Sequence, residues 1–137
     1  RPETRAVSDL VRLAGALYEM EQARMRETLR EEAALREDLG QLDAHWHDTT
    51  ATAARAIGAD VLWQGWVARR RAELNSRLAA VLAQKEKHIA ALRAANGRKV
   101  AAERLAEQME RDAARDIRRR RAEEQQRLAV IRSWSDR

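Results

Sequence analysis

The chain has 137 residues, with no Cys, no Phe, one Pro and five Gly, and carries 27 Lys/Arg against 22 Asp/Glu. Ala, Arg, Leu, Glu and Lys together supply 83 of its residues, well above the half-share that marks a coiled coil or long helix. These counts exclude disulfides and thiolate zinc sites, a β sandwich or barrel for want of turn residues and, with no apolar run of about 18 residues, a membrane-spanning helix. No signal peptide is legible at Arg1-Pro2-Glu3, and a start without Met reads as trimming.

The first predicted element is a helix over about residues 8–48. Ser8-Asp9 makes a plausible N-cap with an acidic first turn. Leu10, Leu13, Leu17 and Met20 recur at three-four-three spacing, which is one face of a helix. The stripe passes through Arg24 and Thr28 in two steps of four, which reads as a stutter near Arg24. It resumes at Glu32, Leu35, Leu39, Leu42 and Trp46. Gly40 weakens the helix by roughly 1 kcal/mol without ending it.

Asp48-Thr49-Thr50 and Gly58-Ala59-Asp60 are loop-like, and the window between them lacks Leu, so the turn is placed at about residues 49–60. A second helix follows over about residues 61–132. Its stripe runs through Trp63, Val67, Leu74, Leu78, Val81, Ile89 and Leu92, then thins through Val100, Leu105, Met109, Ile117, Leu128 and Ile131. Pairs of favourable sense such as Glu73 to Arg77 and Glu123 to Arg127 support it. Asn96-Gly97 is the one place where it could break, which would give three segments and a three-helix bundle. The stretch after Arg98 is too poor in Leu, Ile and Val to fill such a core, and two residues make a very short link.

Folding the chain about residue 54 pairs positions whose numbers sum to about 109. That sets Trp46 near Trp63, Leu42 near Val67, Leu35 near Leu74, Met20 near Ile89 and Leu17 near Leu92, apolar against apolar as knobs-into-holes packing needs. Charge agrees. Residues 1–48 carry 7 Arg and 11 Asp/Glu, net −4, and residues 49–100 carry 10 Lys/Arg and 3 Asp/Glu, net +7. An acidic helix beside a basic one favours their antiparallel pairing and disfavours self-pairing of either. The expected architecture is therefore all-α: a single domain over 1–137, an antiparallel two-helix coiled-coil hairpin with a longer second helix projecting beyond the first. The mirror rule ends near residue 101, leaving about 30 residues to project by about 45–50 Å at 1.5 Å per residue.

Sites of chemistry are scarce. His45-Trp46-His47-Asp48 is the one candidate metal cluster, yet on a helix His45 and His47 point to different faces. His88 is isolated at the seam edge. No phosphate loop, nucleophile triad or carboxylate pair is present, and a two-helix hairpin offers no concavity for a small substrate. The chain is expected to be no enzyme, with no catalytic residues, no cofactor and no metal. Arg69-Arg70-Arg71 and Arg118-Arg119-Arg120-Arg121 invite a nucleic-acid interpretation, helped by a pI of 10.6. Against it, Asp112, Asp116, Glu123 and Glu124 flank the longer run, and four consecutive arginines spread around a helix.

The tryptophans carry more. Trp46, Trp63 and Trp66 lie beside the turn, and Leu39 and Leu42 share the stripe of Trp46. They either clamp the end of the coiled coil or form a partner-binding patch, since two helices cannot hide three indoles and Trp is enriched at binding hot spots.

A charged hairpin of this length resembles the FliJ family of flagellar type III export proteins and its injectisome relatives. The resemblance is carried by Leu39, Leu42 and Trp46 running into the turn and by Trp63-Gln64-Gly65-Trp66 opening helix 2. It also rests on Arg98-Lys99-Val100-Ala101-Ala102-Glu103-Arg104-Leu105, similar to the family's Lys-x-x-x-Glu-x-Leu segment. The Asp-Glu that the family often carries near its C-terminal end is missing from Glu123-Glu124-Gln125-Gln126-Arg127-Leu128-Ala129.

The resemblance implies a cytoplasmic, non-catalytic stalk held in the ring of the export ATPase. It also implies contact with the membrane export gate, hence only an indirect link to the membrane, and dealings with export chaperones. By position, the gate-contacting surface would be Leu39, Leu42 and Trp46 on one helix and Trp63, Trp66 and Val67 on the other. The projecting half of helix 2 would suit insertion into a ring. Two alternatives stand beside it: a generic structural coiled coil that buries residues 101–131 on its own copy, and an arginine-rich nucleic-acid binder.

Overall fold

In a computed structural model, the backbone is described for residues 2–53 and 59–137 and the side chains for residues 2–46 and 61–137. Helix α1 spans Pro2–Ala53 and helix α2 spans Ala59–Ser135. The two pack against each other antiparallel, and no strand occurs among the described residues. Both helices are longer than their sequence signals indicated. Pro2 opens α1 ahead of the Ser8 cap, because its fixed φ suits a first helical position and it has no N–H to leave unpaired there. At the other end α1 runs on through Asp48-Thr49-Thr50, α2 already includes Ala59 and Asp60, and residues 54–58 lie outside the described residues. Asn96-Gly97 does not interrupt α2. One glycine costs only about 1 kcal/mol against the many residues that favour the helix.

The buried side of α1 is a single unbroken repeat. Val7, Val11, Ala14, Tyr18, Glu21, Met25, Thr28, Glu32, Leu35, Leu39, Leu42 and Trp46 are each buried or half-buried, at steps of four and three throughout. The stutter expected near Arg24 is therefore absent. Leu10, Leu13, Leu17 and Met20, expected in the seam, are exposed. The reason is phase. Within Arg1–Leu17 the inward positions are Val7, Val11 and Ala14, a different helical face from that of Leu10, Leu13 and Leu17. The four larger side chains come out on the flank. The irregular step lies on α2 instead, where the inward positions Arg70, Leu74 and Leu78 are separated by two successive steps of four.

The chain divides into two compact units. Within Tyr18–Ala95 the core is the cluster of Leu42, Val67 and Leu74, with Leu35, Leu39, Trp46 and Trp63 packed against it. Leu74 is the most deeply buried large side chain, at 1% exposure. Facing pairs here have residue numbers that add to 114 for Asp43–Arg71 and 117 for Glu32–Lys85, where about 109 was expected. The difference is close to one heptad. An apolar pattern that repeats every seven residues matches itself equally well after a slip of seven, so hydrophobicity alone leaves this choice open. Charge leaves it open too, because Glu32 would meet Arg77 in one register and meets Lys85 in the other.

Within the unit of Arg1–Leu17 and Asn96–Arg137, the seam is built of small residues, with Ala14 and Ala102 buried. The paired part of α2 extends to Ala114, beyond which every residue to Arg137 is exposed. The bare stretch thus starts at about residue 115, not 101. The early start of α1 and the heptad shift in register both lengthen the paired part.

Candidate partner-binding face of helix α2

The face is set up by the way α2 leaves the connection between the helices. Trp63, Val67 and Leu74 turn inward, while Leu62 and Trp66, one helical turn apart, share another face. Of the six residues singled out from sequence, the structure brings five into or against one core. Leu42 and Val67 are 8% and 4% exposed, and Leu39, Trp46 and Trp63 pack on them. These side chains spend their apolar surface on each other, which is the clamp that closes the coiled coil. Trp66 is the exception at 48% exposure.

Trp66 is held by its neighbour. Its ring stacks on that of Trp63 with centroids 5.2 Å apart and planes 19° from parallel, a contact worth about 0.5–1.5 kcal/mol beyond burial. The Trp63 indole Nε1 is buried and has no hydrogen-bond partner among the described residues. Leu62, one turn before Trp66, is 77% exposed, and Val61, next to Leu62 in the chain, is 73% exposed. Sequence reasoning passed over both, because Leu62 does not fall on the Trp63–Val67–Leu74 phase. The signal was nevertheless present: Leu62 and Trp66 repeat at i,i+4 on a face that the seam does not use.

Next along α2, the run Arg69-Arg70-Arg71 is tied down locally. Arg69 Nε donates to the Gly65 carbonyl at 3.3 Å, Arg70 pairs with Glu73 at 3.2 Å, and Arg71 bridges across to Asp43 on α1. Arg69 and Arg70, three and four residues on from Trp66, lie one helical turn from it. In the distal run, Arg119 lies 3.6 Å from Asp116 and 3.9 Å from Glu123.

The polar centre of the seam lies farther from the connection. Lys85 Nζ donates to both carboxylate oxygens of Glu32, at 3.0 and 3.4 Å, and Arg36 donates to one of them at 3.1 Å. The Lys85 hydrogen bond, aided by Arg36, holds the Glu32 carboxyl below its ordinary 4.5 although burial pulls the other way. A charge pair inside an apolar seam adds little net stability, but losing either partner leaves the other charge uncompensated.

His45 is exposed, and the side chains of His47 and Asp48 lie outside the described residues. Among the described residues no group of three or more His, Cys, Asp or Glu side chains is placed to hold a metal ion, and no helix is long and apolar enough to cross a membrane. No family model, no curated protein and no solved structure matches this chain.

Proposed function

We propose that this chain is a non-catalytic coiled-coil adaptor that works in the cytoplasm as the FliJ-like stalk of a flagellar type III export apparatus. Its docking face for the export gate is Val61, Leu62 and Trp66. The supporting observation is that these three large apolar side chains stay in water beside a core that is complete without them. Keeping them exposed costs solubility, and only Trp66 returns some stability, through its stacking on Trp63, which fits a surface reserved for a partner. The bare part of α2 is the part that would enter the ATPase ring, and export chaperones are further candidate partners.

The test is binding of Leu62→Ala and Trp66→Ala to a cytoplasmic fragment of an export gate. Each should weaken binding by about tenfold or more, with the melting curve little changed for Leu62→Ala and lowered only by the lost Trp63 stacking for Trp66→Ala. Affinity equal to the parent's in both variants would defeat the assignment. Leu42→Ala and Val67→Ala are unsuited to this purpose, since both side chains are buried and their loss acts on folding. A self-associating structural coiled coil is favoured by a separate observation, the uncovered apolar side chains after Ala114.

A further inference from the structure

The unit formed by Arg1–Leu17 and Asn96–Arg137 contains two surfaces that complement each other but cannot meet within one molecule. The first is a groove of about 620 Å³ between the start of α1 and the paired end of α2. Its floor is apolar, with Val7, Val11 and Met109, and its rim is acidic, with Glu3, Glu110 and Asp116. The second is the bare end of α2. It carries Leu128, Ile131 and Trp134, all exposed, on one side of the helix by their spacing of three. Residues 115–137 hold eight Arg against four Asp/Glu. The part of the bare end that reaches the acid-rimmed groove, from Glu124 on, is mildly basic, with Arg127, Arg132 and Arg137 against Glu124 and Asp136. The two lie on the same rigid helix, so one chain cannot fold the second into the first.

We infer that the groove is occupied by the end of α2 from a second copy of this chain, and the second copy's groove by the first, in a two-fold antiparallel pairing. An axis near residue 120 sets Leu128 of one copy over Ala113 of the other, and Ile131 over Met109. Arg118 then falls opposite Glu123, while Arg119 to Arg121 of the two copies face each other about the axis, with Asp116, Glu123 and Glu124 of both chains beside them. The pairing is isologous and closes at two, so it leads to a dimer and not to a filament. It buries the residues that the proposed stalk would place in a ring, so dimer and ring insertion compete for one surface. The dimer does not depend on the export assignment.

The full chain contains no cysteine, so introduced thiols report cleanly. In one molecule positions 113 and 128 lie on one helix about 22 Å apart at 1.5 Å per residue, too far for a disulfide. Ala113→Cys with Leu128→Cys should therefore oxidise to a disulfide-linked dimer. Sedimentation across a concentration series should show the unmodified chain passing from monomer to dimer. Leu128→Glu with Ile131→Glu, both at exposed positions, should weaken that association by about tenfold or more. A persistent monomer overturns the inference, and so does a monomer that floats with anionic vesicles, which would give the segment to a lipid surface. A dimer that neither crosslinks nor responds to the Glu substitutions overturns it as well.

Discussion

Leu74 and Leu13 are alike in sequence, each a leucine at helical spacing from other leucines, yet Leu74 is 1% exposed and Leu13 is 58% exposed. Leu74→Ala should lower the folding free energy by about 2–5 kcal/mol, through lost burial and the cavity left behind. Leu13→Ala should change it by less than about 0.5 kcal/mol, as surface substitutions do. Chemical unfolding followed by circular dichroism measures both. Equal losses would mean that the seam runs through Leu13 after all.

Glu32 adds a pH dependence at the same scale. Its carboxyl is depressed in the folded state by Lys85 first and Arg36 second. The ionised form therefore stabilises the fold above 4.5, and that contribution is lost as the pH falls from 4.5 through the folded value. Thermal melts from neutral pH into the acid range should show the parent losing stability more steeply than Glu32→Gln. Parallel slopes would remove Glu32 from the account.

Among the elements, α2 shows how continuity outweighs a single breaker. A Cβ built on Gly97 meets nothing within 4 Å, and its neighbours on both sides are helical. Gly97→Ala should therefore raise stability by about 0.5–1 kcal/mol, since alanine loses less backbone freedom on entering the helix. A fall in melting temperature would mean that the backbone at Asn96-Gly97 departs from a regular helix.

The helices themselves were legible from composition and periodicity, and so was the cluster of Leu35, Leu42, Val67 and Leu74. The inward face of the first half of α1 was not. Hydrophobicity ranks Leu10, Leu13 and Leu17 above Val7, Val11 and Ala14, but the seam in that unit is built of smaller side chains. Trp66 was legible as a candidate contact because three indoles exceed what two helices bury. Leu62 was not legible from the inward stripe, because it falls off the phase of Trp63, Val67 and Leu74 and the structure leaves it 77% exposed.

At the scale of the molecule, opposite net charge on the two partners accounts for antiparallel pairing, since exposed pairs choose a partner more than they stabilise it. It does not choose between registers seven residues apart. That choice rests on Asp43 with Arg71, since Glu32 finds a cation in either register. It decides how much of α2 is covered and where the bare stretch begins. The most direct test is a pair of spin-label distances, one with labels at positions 43 and 71 and one with labels at 43 and 64. The structure predicts that the 43–71 distance is the shorter of the two. A shorter 43–64 distance would place the helices in the other register and contradict the account.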